Sequence, residues 1–146
     1  MITMLCQILA TSCCGLFAGA ALYISLVEHP ARMACGVELA STEFPPSYRR
    51  ATVMQASLAV LGFVFSAAAW LGGASGWWLV GGAILVAVAP FTLAVMMSTN
   101  RQLLDPNLDR TSDRAVELLT RWARLHLVRV GLSLTALPLF LYLLVS

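Results

Sequence analysis

Two histidines and one arginine at the edges of apolar segments are the residues of this sequence best suited to chemistry. His126 and Arg129 lie where an apolar run begins that continues to the end of the chain, and His29 lies two residues beyond residues 1–27, which contain no charged side chain. An ionisable group within a membrane segment is costly unless it faces protein or water, so it indicates a functional site. An imidazole can take a proton from a weakly acidic carbon or phenol, and a guanidinium can stabilise the resulting anion.

Polar residues of the other apolar segments fit the same site. Gln55 begins the second segment and Asn100 ends the third. In an up-and-down arrangement of four helices, these positions lie at one depth of the bundle. We therefore predict a catalytic set and a substrate-binding set, which are His29, His126, Arg129 and Asn100 for catalysis and Tyr23, Tyr48, Gln55 and Trp122 for binding.

Helical spacing assigns faces to these residues. At about 100° per residue, one face of the last helix carries Trp122, His126, Arg129, Ser133 and Ala136. A face of the second helix carries Gln55, Ala59, Gly62 and Ser66, small and polar as in helix contacts within lipid. For the first helix, the predicted packing face consists of Gly15, Gly19, Leu22, Leu26 and His29.

Other interpretations of the polar residues remain open. His29 and His126 could be axial ligands of a haem, or bind copper or iron. No carboxylate lies on the helix faces that carry the two histidines, so an iron site of two histidines and one carboxylate is not complete. The four cysteines lack C-x-x-C spacing, and no metal or cofactor is therefore favoured. Alternatively, the polar residues only join helices by hydrogen bonds. Glu28 is expected to pair with a loop arginine, and Arg101, Arg110 and Arg114 are expected to be solvated charges.

The composition identifies a membrane protein. Hydrophobic residues make up 60% of the 146-residue chain and charged residues 11%, against about 25% charged in a soluble domain. All nine basic residues are arginine, which excludes a lysine nucleophile. The loop arginines alternate with acidic residues, so a nucleic-acid partner is not expected.

The pattern predicts an all-α fold, an integral-membrane four-helix up-and-down bundle, as one domain over residues 1–146. The helices are predicted at about 3–29, 51–71, 77–99 and 122–145. Pro30 and Pro45-Pro46 predict a polar loop over residues 30–50, and Pro90 predicts a kink in the third helix. Thr111-Ser112-Asp113 predicts the start of an amphipathic helix that continues into the fourth.

The arginines predict the orientation. All nine lie in residues 28–50 and 98–129, and the two termini and the 72–76 turn have none. Arginine-rich short loops stay cytoplasmic, so both termini are expected outside, in a bacterial inner membrane. The expected partners are the lipid bilayer and a hydrophobic small molecule, and the small-residue faces would allow a homo-oligomer.

Four motifs resemble those of the anthrone oxygenase-like family of small integral-membrane proteins. They run from Tyr23 to Arg32, from Pro46 to Gln55, from Pro90 to Leu104 and from Arg121 to Arg129. The resemblance implies a four-helix membrane bundle and, as in fungal members, oxidation of an anthrone to an anthraquinone with molecular oxygen. It would carry over His29, Gln55, Asn100, His126 and Arg129 as the polar residues of the motifs. Because family membership does not transfer function, a non-enzymatic membrane scaffold or carrier subunit remains the alternative.

Overall fold

The computed structural model describes all 146 residues and contains four long helical segments without strands. Each segment is long and apolar enough to cross a membrane: α1 (Ile2–Ala34), α2 (Val37–Leu71), α3 (Trp77–Leu103) and α4 (Asp113–Val145). Helix α1 packs against α2 and α4, and α3 packs against the same two helices. The chain is therefore an all-α integral-membrane four-helix bundle, as predicted.

At the end of the bundle opposite the arginines, part of the core lies between α3 and α4, whose backbones approach closely there. The Trp78 and Phe140 rings stack with centroids 5.3 Å apart, and both side chains are buried. A Cβ added at Gly81 would lie 2.5 Å from the Phe140 ring. Glycine at this position therefore lets the aromatic pair fill the space between the two helices.

A π-helical turn over Ile24–Glu28 changes the register of α1. A regular α-helix would place His29 about 120° from Phe17, the centre of the buried face. The extra residue of the π turn rotates the following chain back by about 100°, which returns His29 to the buried face. The packing face predicted from regular spacing is wrong, because Gly19 and Leu26 are exposed. The face that packs instead consists of Ala10, Cys14, Phe17, Ala21 and Ile24.

Most of the segment predicted as a loop over residues 30–50 is helical. Helix α1 continues through Pro30 to Ala34, and α2 begins at Val37 after Gly36, whose φ of 98° favours glycine. Both Pro45 and Pro46 lie inside α2.

A side chain from the next loop compensates for Pro45. Proline at this position lacks the N–H that would bind the carbonyl of Ser41, four residues earlier. The guanidinium of Arg110 donates to that carbonyl instead. Arg110 is therefore not simply a solvated charge, and α2 reaches 35 residues.

Helices α3 and α4 also extend beyond their predicted bounds. In α3 the α-helical pattern is interrupted at Ala87, just before Pro90, and a second π turn follows over Thr92–Met96. The helix then passes Asn100 and ends at Leu103, so Asn100 does not close it. The amphipathic start of α4 is confirmed: the Ser112 hydroxyl accepts from the Ala115 N–H, and one helix runs from Asp113 to Val145.

Candidate functional site

His126 lies in the interior of the bundle, with 1% of its surface exposed. Its Nδ1 is 3.0 Å from the Ser25 hydroxyl of α1, and its ring stacks on Trp122 with centroids 4.8 Å apart. Its Nε2 is buried without a protein partner. In the tautomer that carries hydrogen on Nδ1, the Ser25 hydroxyl accepts that hydrogen and Nε2 is free to act as a base.

Arg129 lies about one turn further along α4 and is also buried, with 8% exposed. Its guanidinium donates to the Oε1 of Gln55 on α2, and its central carbon is 5.7 Å from the centre of the Phe17 ring. None of the three ion pairs in the structure includes Arg129, and its Nε has no partner. A buried cation without a carboxylate favours a negatively charged ligand beside it.

A small cavity adjoins these side chains between α1, α2 and α4. His126, Arg129, Gln55, Tyr48 and Trp122 all line it. Its volume of about 20 Å³ is enough for about one water molecule. It can therefore hold the reacting part of a ligand, whereas the body of a larger ligand would have to lie elsewhere.

A larger apolar slot of about 240 Å³ lies between α2 and α3 and shares its wall with the small cavity. Tyr48, Gln55 and Arg129 line both spaces. The slot is also lined by Ala56 and Leu93, which are exposed on the membrane-spanning surface. It therefore opens sideways toward the acyl chains, and its volume is somewhat below the usual range of ligand pockets, about 300 Å³ and above.

His29 lies on the other side of the site. It is buried, and its ring centroid is 5.5 Å from that of Trp122. With Ser25 and His126 it lines a groove of about 200 Å³ between α1 and α4, but it does not line the cavity beside Arg129. Both histidines thus contact Trp122, and only His126 lines the cavity beside the buried guanidinium.

The structure gathers no group of three or more histidine, cysteine, aspartate or glutamate side chains that could hold a metal. A metal or haem bound through His29 and His126 would therefore have only these two protein ligands.

Besides His29, two further predicted residues do not line the cavity beside Arg129. Asn100 is fully buried, and its amide donates to the Tyr48 hydroxyl at 3.0 Å, so it holds a lining residue in place. Tyr23 is 56% exposed. It lies about 120° from Phe17 around α1, away from the buried face, so its assignment to substrate binding stays a prediction.

Four further residues that were not predicted from the sequence belong to the site. Phe44 meets the Trp122 ring edge-on at 5.2 Å and stacks on Tyr48 at 5.5 Å. Glu28, Arg32 and Ser47 line the small cavity and contact one another. As expected, Glu28 pairs with an arginine of the segment predicted as the first loop, Arg32, although that segment continues α1 as a helix. The four-residue spacing of that pair was the signal available in the sequence.

The chain is similar to one known protein family. The profile of the anthrone oxygenase family matches residues 44–139, which include most of α2, all of α3 and the site residues of α4. No curated protein and no solved structure matches the chain.

Proposed function

Because the chain belongs to the anthrone oxygenase family, we propose that it is a membrane-embedded oxygenase that uses molecular oxygen to oxidise a hydrophobic, anthrone-like phenolic ketone. The observation that carries the proposal is the pairing of a free imidazole nitrogen on His126 with the unneutralised guanidinium of Arg129 at one cavity. A base and a fixed positive charge are what is needed to form and hold an enolate.

The proposed reaction converts a ring methylene into a carbonyl. His126 takes one proton from the methylene, and Arg129 stabilises the enolate that forms. The electron-rich carbon adds O₂ to give a peroxide anion, which takes back the proton. Loss of the second methylene proton and of hydroxide then leaves the carbonyl and one water. The substrate carbon is oxidised, both oxygen atoms are reduced, and the balance is CH₂ + O₂ → C=O + H₂O.

The apolar slot between α2 and α3 supports a flat, poorly soluble substrate. Its shared wall with the small cavity would let the rings lie in the slot while the reacting edge reaches His126 and Arg129. Tyr48 and the Gln55 amide lie at this wall and can bind oxygen atoms of the substrate. Entry from the bilayer would spare the substrate transfer through water.

The direct test uses the protein in lipid nanodiscs with an anthrone, following oxygen uptake and quinone formation. We expect His126→Gln to lower the rate by roughly 10²–10⁴-fold, the usual contribution of a general base. Arg129→Gln should lower it by roughly 10²–10³-fold, as for loss of an oxyanion donor. Arg121→Gln, an exposed arginine on the same helix, is the matched control and should retain the wild-type rate.

His29→Gln separates the two histidines. Retained activity in this variant would assign the base to His126, whereas a loss as large as that of His126→Gln would contradict the assignment.

A Soret band or stoichiometric metal in the purified protein would favour the alternative in which the histidines bind a cofactor. Absence of oxygen uptake in wild-type protein would favour the scaffold or carrier alternative.

We also propose that the arginine-rich end faces the cytoplasm of a bacterial inner membrane, which agrees with the distribution of arginines. Cys35 is exposed in the turn between α1 and α2 at this end. A membrane-impermeant maleimide should label it in inverted vesicles and not in intact cells. Ser75→Cys in a Cys35→Ser background places the only exposed thiol in the opposite turn and should give the reverse pattern.

A further inference from the structure

A second cavity, of about 490 Å³, adjoins the small cavity at the end of the bundle that carries the arginines. We call it the outer cavity because it is open, whereas the small cavity lies inside the bundle. Glu28, Ser47 and Ala51 line both of these cavities. The three residues therefore form the boundary between the space beside His126 and an open space at the arginine-bearing end of the bundle. Arg50 and Glu43 line the outer cavity and make its entrance polar.

Polar contacts hold the boundary residues in place. The Ser47 hydroxyl donates to Glu28 Oε1 at 2.7 Å, and the buried guanidinium of Arg32 donates to the same carboxylate. Arg32 also pairs with Glu43 at 3.0 Å and lies 3.3 Å from the Ser47 hydroxyl. A carboxylate and a hydroxyl held in this way can exchange hydrogen bonds with water on either side of the boundary.

We propose that Glu28, Ser47 and Arg32 form an aqueous route into the site, by which water and protons pass between the outer cavity and the cavity beside His126. The site then has two entrances of opposite character. The apolar slot between α2 and α3 serves the substrate and its quinone product, and the polar route removes the one water formed per turnover. The role in turnover depends on the proposed oxygenase function, but the existence of the route does not.

Cysteine accessibility tests the route without any assay of activity. In a Cys35→Ser background, Ala51→Cys is placed in nanodiscs with a charged, membrane-impermeant methanethiosulfonate reagent. Because only a hydrated thiol ionises and reacts, labelling should be roughly tenfold or more faster than for Val60→Cys, a lipid-exposed position on the same helix. Ser47→Cys gives a second position in case the first variant does not fold. Labelling of both positions at the Val60→Cys rate would overturn the proposal.

Two further variants test the part played by Glu28. Adding Glu28→Leu to Ala51→Cys should slow labelling several-fold, whereas Glu28→Gln keeps a hydrogen-bonding group and should keep most of the rate. Glu38→Leu, an exposed glutamate on α2, is the control and should have no effect. Equal labelling in Glu28→Leu and Glu38→Leu would contradict a role for this carboxylate.

Oxygen uptake measures whether turnover uses the aqueous route. The charged adduct on Ala51→Cys should slow oxygen uptake in proportion to the fraction labelled. Full labelling with unchanged oxygen uptake would show that turnover does not use the route. If wild-type protein oxidises no anthrone, the proposed function fails while the labelling result still stands.

Discussion

The guanidinium of Arg129 on α4 donates a hydrogen bond to the side-chain oxygen of Gln55 on α2, and both residues are buried within the membrane-spanning part of the bundle. The partner is an amide rather than a carboxylate, so the contact satisfies a donor and leaves the positive charge intact. A glutamate at the same position would give a neutral pair. The choice of glutamine therefore keeps a charge available for an anionic ligand.

Substitutions at Gln55 separate the hydrogen bond from the charge. Gln55→Glu should fold at least as well as wild type but lose about tenfold or more of the oxidation rate, because the carboxylate competes with the enolate for Arg129. Gln55→Leu should lower the free energy of unfolding by about 1.5–3 kcal/mol, the usual value for a hydrogen bond to a charged group. Thermal unfolding in detergent and oxygen uptake measure the two effects. Wild-type turnover in Gln55→Glu would contradict the proposed role of the free charge.

The contact between Arg110 and the Ser41 carbonyl should stabilise the proline-containing part of α2. Arg110→Ala leaves this carbonyl unpaired and should cost about 1–3 kcal/mol. In a Pro45→Ala background the N–H of residue 45 can bind the carbonyl instead, so Arg110→Ala should cost much less there. The double-mutant cycle measures this coupling. Arg101→Ala, at an exposed arginine, is the control, and equal costs of Arg110→Ala in the two backgrounds would rule out the coupling.

The parts of this structure that sequence alone could predict are those with uninterrupted α-helical spacing. The faces of α2 and α4 that begin at Gln55 and Trp122 are buried as predicted. The face of α1 was predicted wrongly, because spacing does not reveal a π turn that shifts every later residue. The first loop was predicted wrongly because Pro45-Pro46 indicates a break, and the compensating contact comes from Arg110, 65 residues away in sequence. The site residues Phe44 and Ser47 were missed for the same reason.

The hydrogen bond between Ser25 and His126 should orient the imidazole that we propose as the base. Ser25→Ala removes it and should lower kcat by about 2- to 10-fold, corresponding to a hydrogen bond of about 0.5–1.5 kcal/mol. KM should not change, because Ser25 does not line the slot between α2 and α3. The control is Thr135→Ala, which removes an exposed hydroxyl bonded only to its own helix. A KM effect without a kcat effect would place the substrate in the groove beside His29 instead.

We expect the substrate to enter through the slot between α2 and α3 and its rings to bind there. Ala56 lines this slot and is exposed to lipid, so a phenyl group at this position can fill the slot without entering the packed core. Ala56→Phe should therefore raise KM by about tenfold or more, with an unchanged temperature of unfolding. Val60→Phe adds a comparable ring at a lipid-exposed position of α2 outside the slot and should leave KM unchanged. Steady-state oxygen uptake over a range of anthrone concentrations measures both variants. Wild-type kinetics in Ala56→Phe would show that the substrate reaches His126 by another path.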